Sequence, residues 1–330
     1  MKVSVCMITY NHGKFIAQAI EGVMMQETNF EYELLIAEDC STDKTREICM
    51  LYGNKYPGKI RLLLRDKNLG MMPNFIQATQ ACRGTYIALC EGDDYWTSPH
   101  KLQKQVDFLD SHPDFAICSH NVKVMHEGST PPDIEWLGAK HKEVSTLGDL
   151  LRNGSGGATC SLVYKNRVFG DFPDWYYTIK GGDWALQVLC ASQGKMRYFR
   201  EVMGVFRQHD RGSLYAATVA ARAQGEEAIA LPSKNGFEIC DALDRHFNQR
   251  YTKLIRKQKA YWYWVGALEY AHYGRKDVAR AWLRKALPGL FPLPHWLSLR
   301  ALVINLEIIL LPSWLILVLG RVKSLLKLKP

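Results

Sequence analysis

Residues 85–96 read TYIALCEGDDYW. The run from Thr85 to Cys90 has the composition of a buried strand. It ends abruptly in Glu91, Gly92, Asp93 and Asp94, followed by Tyr95 and Trp96. A short apolar run bounded by a turn reads as a strand covered on both faces. Three carboxylates within four residues repel one another unless something positive lies between them. This stretch therefore poses two questions: where the sheet opens, and what charge is met there.

The chain on either side repeats the pattern. Val3–Thr9, Glu33–Ala37 and Ile60–Leu64 are three earlier strand-like runs, and Phe115–Met125 is a fifth after Thr85–Cys90. Helical spacing over 14–26, 43–56 and 73–82 separates them. Ser98-Pro99 predicts a capping Ser and a first-turn Pro ahead of a helix to Ser111. Apolar strands alternating with helices predict an α/β fold with a parallel sheet covered on both faces. Beyond about 145 the pattern is mixed. Cys160–Tyr164, Met196–Phe199 and Val202–Phe206 are strand-like, and Gly181-Gly182-Asp183-Trp184 opens a helix through Ser192. From about 216 to 286 the chain reads as helical, and Tyr261–Leu287 has the look of one tetratricopeptide-like helix pair.

Polar residues gather at the carboxyl ends of the predicted strands: Thr9-Tyr10-Asn11-His12, Glu38–Asp43, Asn68-Leu69-Gly70 and Glu91–Asp94. In open parallel sheets ligands bind at those ends. No G-x-G-x-x-G or G-x-x-x-x-G-K-[ST] is present, so a dinucleotide fingerprint and a P-loop are not supported. Carboxylates clustered at a strand end need a hard cation, Mn2+ or Mg2+, which binds one or two carboxylates plus substrate phosphates. Such an ion suits a nucleotide-diphosphate donor and stabilises a departing diphosphate. EGDD taken alone is equally a turn or helix cap. Asp39, two strands earlier at the same edge, favours the ligand reading.

Taken in order, TYN (9–11), EDCSTD (38–43), NLG (68–70), GTYIALCEGDDYW (84–96), GGDW (181–184) and FRQH (206–209) resemble family-2 glycosyltransferases of the GT-A fold. The resemblance covers roughly residues 1–215. It implies that Thr9, Tyr10, Asn11 and Asp39 hold the nucleotide, with Asn68 from the weaker NLG signature. It implies that Glu91-Gly92-Asp93 is the acidic metal motif, Asp93 being the ligand and Asp94 a donor contact. Glu91 stands where an Asp is usual, and its longer reach points toward ribose or a metal-bound water. Asp183 matches the catalytic base, with Gly182 in place of the usual Glu. His209 matches a downstream His that contacts metal or diphosphate, and Arg207 suits bidentate phosphate binding. The Arg often seen before Asn74 is Pro73 here. The implied reaction is inverting, a single displacement with Asp183 taking the acceptor's proton. Without the resemblance, Asp183 also suits a helix N-cap and His209 a core position, and Trp96 and Trp184 read as sugar platforms or as core.

Composition supplies the setting. The nine cysteines are scattered, without CxxC or zinc spacing, and read as buried free thiols in a reducing compartment. Met1-Lys2 leads straight into a strand-like run, so no secretory leader is expected. The net charge of +9 is uneven: residues 250–330 hold 15 Lys and Arg against 3 Asp and Glu, the remainder 27 against 30. Within that basic quarter, residues 301–320 are largely apolar, interrupted by Glu307 and Pro312 and flanked by Arg300 and Arg321. Basic flanks on both sides predict a re-entrant or interfacial segment at a membrane surface, with a buried helix pair as the soluble alternative. Cations interleaved with Leu and Val, without a binding motif, argue against nucleic acid.

The sequence thus predicts a GT-A domain over 1–215, a helical region over 216–295 and a membrane-associating tail over 296–330. The expected protein is cytoplasmic, peripheral or monotopic at the inner face of the cell membrane. It moves sugar from a nucleotide-diphosphate donor, UDP-linked by preference, to a glycan or lipid-linked acceptor of a cell-surface polysaccharide or glycoconjugate. Two alternatives stand beside it. A sugar nucleotidyltransferase would want a Gly- and Lys/Arg-rich loop after the first strand, and TYNHGKF is poor in both respects. A membrane-tethered interaction protein with a decayed catalytic domain would rest on Glu91 and Gly182 alone.

Overall fold

The computed structural model describes residues 1–126, 134–137, 141–209 and 230–289. The chain divides into two compact units, Met1–Val219 and Ala220–Pro330.

In the first unit, β1 (Val3–Thr9), β2 (Tyr32–Glu38), β3 (Ile60–Leu64) and β4 (Tyr86–Leu89) pair in parallel, with α1 (Ile16–Met24), α2 (Thr45–Lys55) and α3 (Met71–Ala81) between them. Every residue of β2 and β4 is buried; β4 is wholly apolar, and the two glutamates of β2, Glu33 and Glu38, pair with Arg61 and Arg46. β3 is the edge and is only half covered. Pro73 is tolerated in the first turn of α3, where its missing N–H would have no helical partner.

The sheet is mixed, which corrects the all-parallel expectation. Its order is β3-β2-β1-β4-β9-β6-β10-β5, where β5 is Tyr95–Trp96, β6 Phe115–His126, β9 Val163–Lys165 and β10 Lys195–Gln208. β9 runs antiparallel between β4 and β6, and β5 antiparallel to β10. Two further short strands, β7 (Ile134–Glu135) and β8 (Val144–Ser145), pair with β6 and β10. An antiparallel insertion needs no crossover helix, so alternation in the sequence gives no sign of it. The runs 196–199 and 202–206 belong to one strand, β10, with register shifts between Phe199 and Val202. The bulge splits the apolar pattern without ending the strand.

Two loop details position the acidic stretch. Gly92 donates its N–H to the Ile8 carbonyl at 3.0 Å, and a Cβ there would lie 2.5 Å from Thr9 Oγ1. Only glycine lets the loop cross the end of β1 this closely. The next helix, α4 (Lys101–Ser111), has no side-chain cap from Ser98. Instead Gln26, just beyond α1, accepts the Leu102 N–H at 3.0 Å and donates to the Ser98 carbonyl at 2.7 Å. A tertiary contact does the work expected of a local cap. Beyond β8, α5 (Leu147–Asn153) has a Thr146–Asp149 capping box, and α6 (Asp183–Ala191) starts after Gly182, its N-cap. Eight cysteines are buried and Cys40 is half-buried; none is bonded to another.

The second unit contains α7 (Leu231–His246), α8 (Thr252–His272) and α9 (Lys276–Ala286). α8 and α9 form an antiparallel hairpin turning at Gly274, whose φ is +77°. The Trp282 ring occupies the space a Cβ at Gly266 would need, 2.3 Å away, and meets Tyr270 at 5.2 Å. Among the described residues no helix is long and apolar enough to cross a membrane, and residues 296–330 lie outside them.

Candidate active site

A cleft of about 360 Å3 opens at the carboxyl ends of β1, β2 and β4. Of the residues singled out from sequence, Thr9, Tyr10, Asp39, Asn68, Glu91, Asp93, Asp94, Asp183 and Arg207 line it. Asn11 and His209 do not. Asn11 adopts the left-handed conformation at φ +58°, accepts the Thr42 N–H at 2.8 Å and donates its own N–H to Ser41 Oγ. It joins the loops that follow β1 and β2. His209 is buried behind Asp93, its Nε2 3.0 Å from Asp93 Oδ2.

The acidic stretch divides its charges between partners. Asp93 faces two imidazoles, His209 and His12, whose Nε2 lies 3.7 Å away. Burial raises the Asp93 pKa, but His12 and His209 outweigh it and leave the carboxyl below its ordinary range. Asp94 is buried; its Oδ1 accepts the Arg207 N–H at 2.8 Å, and the Cys160 thiol lies beside its carboxyl. Burial, and then the Asp93 charge, push Asp94 well up. Glu91 is pushed up in the same way, by burial and then by Asp94, Asp93 and Asp183. Arg207 holds the Asp93 carbonyl and Gln18 Oε1, with its guanidinium 4.4 Å from the Tyr95 ring centre and 5.1 Å from that of Phe15. It braces the acidic loop as well as lining the cleft.

His12 is the residue that sequence reasoning passed over. It followed β1 in the right place, but its partner His209 is remote in sequence. Thr9 Oγ1, 3.2 Å from Nδ1, orients the ring. One ligand atom each from His12, Asp93 and His209 lie within 4.8 Å of one another. Two imidazoles and a carboxylate fit a divalent transition ion such as Mn2+ better than Mg2+, which prefers oxygen.

Across the cleft, Asp183 begins α6 and is half-buried; burial raises its pKa above the ordinary carboxylate range. Tyr176 donates to the Gly182 carbonyl at 2.8 Å. A Cβ at Gly182 would lie 2.6 Å from Tyr176 Oη and from Met72 Cε. The glycine therefore has a steric reason: Tyr176 and Met72 fill the space a larger residue would use. On the third side, Asp39 accepts the Leu69 and Gly70 N–H groups at 2.8 and 3.0 Å, and Asn68 donates to the Asp39 carbonyl at 2.9 Å. Burial raises the Asp39 pKa. Trp96 and Trp184 are core residues: both are buried, and their Nε1–H groups reach the Cys160 and Leu150 carbonyls.

Residues 4–170 match the family model described as glycosyl transferase family 2. The chain belongs to this family. An uncharacterised protein of Mycobacterium tuberculosis is 38% identical over 220 residues, which are 65% of this chain and 61% of the relative. The chain thus spans about three-fifths of the length of the first curated relatives it matches. Staphylococcus aureus TarS, a poly(ribitol-phosphate) β-N-acetylglucosaminyltransferase, is 31% identical over 113 residues, 34% of this chain and 19% of TarS. The structure of TarS residues 1–349 with UDP-GlcNAc aligns at a TM-score of 0.53 and 18% identity, over 88% of this chain and 92% of that one. A Pyrobaculum calidifontis mannosyltransferase with GDP-Man and Mn2+ aligns at 0.54 and 15% identity, over 92% and 78%. The family-2 chain has the GT-A fold, with a helical C-terminal region.

Proposed function

We propose that the chain is a metal-dependent, inverting glycosyltransferase. It takes a sugar from a nucleotide-diphosphate donor, UDP-linked by preference, and passes it to a glycan or lipid-linked acceptor in cell-surface polysaccharide or glycoconjugate synthesis. The observation that carries this reading is that Asp183, whose pKa burial raises, lines the same cleft as His12 and Asp93, two members of the His12–Asp93–His209 cluster. TarS and the mannosyltransferase, whose structures hold UDP-GlcNAc and GDP-Man with Mn2+, support the donor class. TarS, by its name, acts on a polymer of ribitol phosphate, which supports a cell-envelope acceptor.

In this reading Thr9, Tyr10, Asp39 and Asn68 hold the nucleotide, and Asn11 shapes their loops. His12, Asp93 and His209 hold Mn2+ or Mg2+, which stabilises the negative charge of the departing diphosphate. Glu91 and Asp94 face the donor, and Arg207 fixes the loop that carries them. Asp183 takes the proton of the acceptor hydroxyl. The hydroxyl oxygen forms the new bond to the anomeric carbon on the face opposite the leaving group. The old carbon–oxygen bond breaks with its electron pair passing to the diphosphate. The catalytic work is assigned to residues 1–215, the helical unit to 216–295, and membrane association at the cytoplasmic face to 296–330.

The test uses purified full chain, nucleotide sugars and Mn2+. Asp183→Asn is expected to keep donor binding, read as a thermal shift, while kcat falls by about a hundredfold or more. Unchanged turnover removes Asp183 as the base. If no UDP-, GDP-, TDP- or CMP-sugar stabilises the wild-type protein, the donor reading fails.

A further inference from the structure

We propose that the open end of the α8–α9 hairpin is a docking surface for a bilayer carrying anionic phospholipid headgroups. The proposal deepens the membrane placement above and is independent of the glycosyl-transfer chemistry.

The described part of the second unit, residues 230–289, holds 12 Lys and Arg against 5 Asp and Glu. Packing concentrates part of that excess. Lys285 lies 5.5 Å from the Tyr263 ring centre, and a Cβ at Gly289 would sit 2.4 Å from Ala260 Cβ and 3.4 Å from the Arg256 carbonyl. The last turn of α9 therefore lies beside the third turn of α8, and the turn that follows it, at Gly289, lies against Arg256 and Ala260. This brings Arg284 and Lys285 to the end that carries Lys253, Arg256 and Lys257, spaced at i, i+3 and i+4 on one helix face. Lys253, Arg256, Arg284 and Lys285 are exposed.

The cations of α8 stand against its own electrostatics. A helix N-terminus favours acids; the first turn of α8 has none of its own and carries Lys253, and one acid from α7, Asp244, accepts from Thr252 Oγ1 at 2.8 Å. Basic side chains on the first turns of α8 and the last turn of α9 leave this end positive, which an anionic surface would offset. The chain leaves the hairpin at this same end. At Gly289, beside Ala260 and Arg256, it continues into residues 290–330, which include the apolar stretch 301–320 and the cations Arg300, Arg321, Lys323, Lys327 and Lys329. Apolar chain and basic surface thus emerge together. That combination matches a bilayer, with acyl chains for one and lipid phosphates for the other, rather than a soluble polyanion.

Each Lys or Arg at an anionic surface strengthens binding roughly fivefold. The test is co-sedimentation of the full chain with phosphatidylcholine vesicles, with and without phosphatidylglycerol, at low and high salt. Wild-type protein is expected to bind the anionic vesicles more tightly, with salt weakening the preference. The quadruple variant Arg256→Glu/Lys257→Glu/Arg284→Glu/Lys285→Glu should lose that preference by about a hundredfold or more. Arg256→Lys/Arg284→Lys should retain it, and circular dichroism checks that both remain helical. If the charge reversal leaves anionic binding unchanged, or wild type binds neutral and anionic vesicles equally, the docking surface is refuted while the membrane placement stands. Binding to no vesicle overturns both. Binding to soluble polyphosphate with none to vesicles overturns the bilayer as partner.

Discussion

Replacing Lys101 by methionine should stabilise the protein, and the gain should shrink as pH rises. Lys101 is fully buried at the start of α4, and its ammonium nitrogen has no hydrogen-bond partner. It sits 3.8 Å from the centre of the Trp96 ring. Around it lie the Cys90, Cys118 and Cys160 thiols, which favour its charge, and His120, which its charge and burial hold near a pKa of about 3. Burial dominates and lowers Lys101 from 10.5 to about 7. Between those two values the unfolded chain binds a proton that the folded chain does not, so stability rises with pH across that window; below it the penalty is complete. At pH 7 the penalty is about 4 kcal/mol, and about 2 kcal/mol remains after allowing for the lost cation–π contact. Lys101→Met should therefore be more stable at pH 7 by about 2 kcal/mol, a Tm rise of several degrees. Between about pH 7 and pH 9 the gap should close by about 2 kcal/mol. The comparison must be between variant and wild type. The buried thiols Cys49, Cys90, Cys118, Cys160, Cys190 and Cys240 have raised pKa values and lower stability as the unfolded thiols ionise at higher pH. Guanidinium denaturation across that range gives the gap directly. A variant less stable at pH 7, with a gap independent of pH, would refute a desolvated ammonium as the source.

Two further outcomes bear on the site. His12→Ala should weaken Mn2+ binding to the substrate-free protein by tenfold or more, on the order of a lost ligand contact, measured by calorimetry; undiminished affinity excludes His12 from the ion's ligands. Gly182→Ala should cost about 1–3 kcal/mol from the clash with Tyr176 and Met72, read by thermal denaturation, and an unshifted Tm would mean that wall yields freely.

The parallel half of the sheet was legible because burial on both faces leaves largely apolar runs, as in β1, the Leu34–Ala37 centre of β2 and β4. Of the antiparallel strands only β9 showed, in the run Cys160–Tyr164. β5, β7 and β8 have two residues each and are defined by their pairing with β10, β6 and β10 rather than by any run of their own. The start of α4 failed for the same reason, since Gln26, not Ser98, serves its N-terminus. At the site, acids at strand ends showed as a pattern, so Asp39 and Asp93 could be named. His12 carried no distinguishing neighbour in sequence, because what marks it is β10 returning His209 to the end of β1. Gly182 looked like a lost acid, and only the packing of Tyr176 shows why glycine is needed there.

Two of the three carboxylates at the end of β4, Asp93 and Asp94, are held by contacts that one strand register supplies. β10 pairs antiparallel with β5, Gly204 opposite Trp96 and Val205 opposite Tyr95. That register sets the Arg207 N–H on Asp94 and the Arg207 guanidinium on the Asp93 carbonyl, and two residues later it delivers His209 to the Asp93 carboxylate. Alternation along an extended chain puts residues 207 and 209 on one side. A slip by one residue would present Gln208 instead, leaving Asp93 without the His209 imidazole and Asp94 without its N–H donor. The buried indole of Trp96, tied to Cys160 and covered by Lys101, works against such a slip. The unpartnered ammonium that costs stability thus sits on the residue that fixes the register. Stability lost at Lys101 and order kept at Asp93 meet at the same ring.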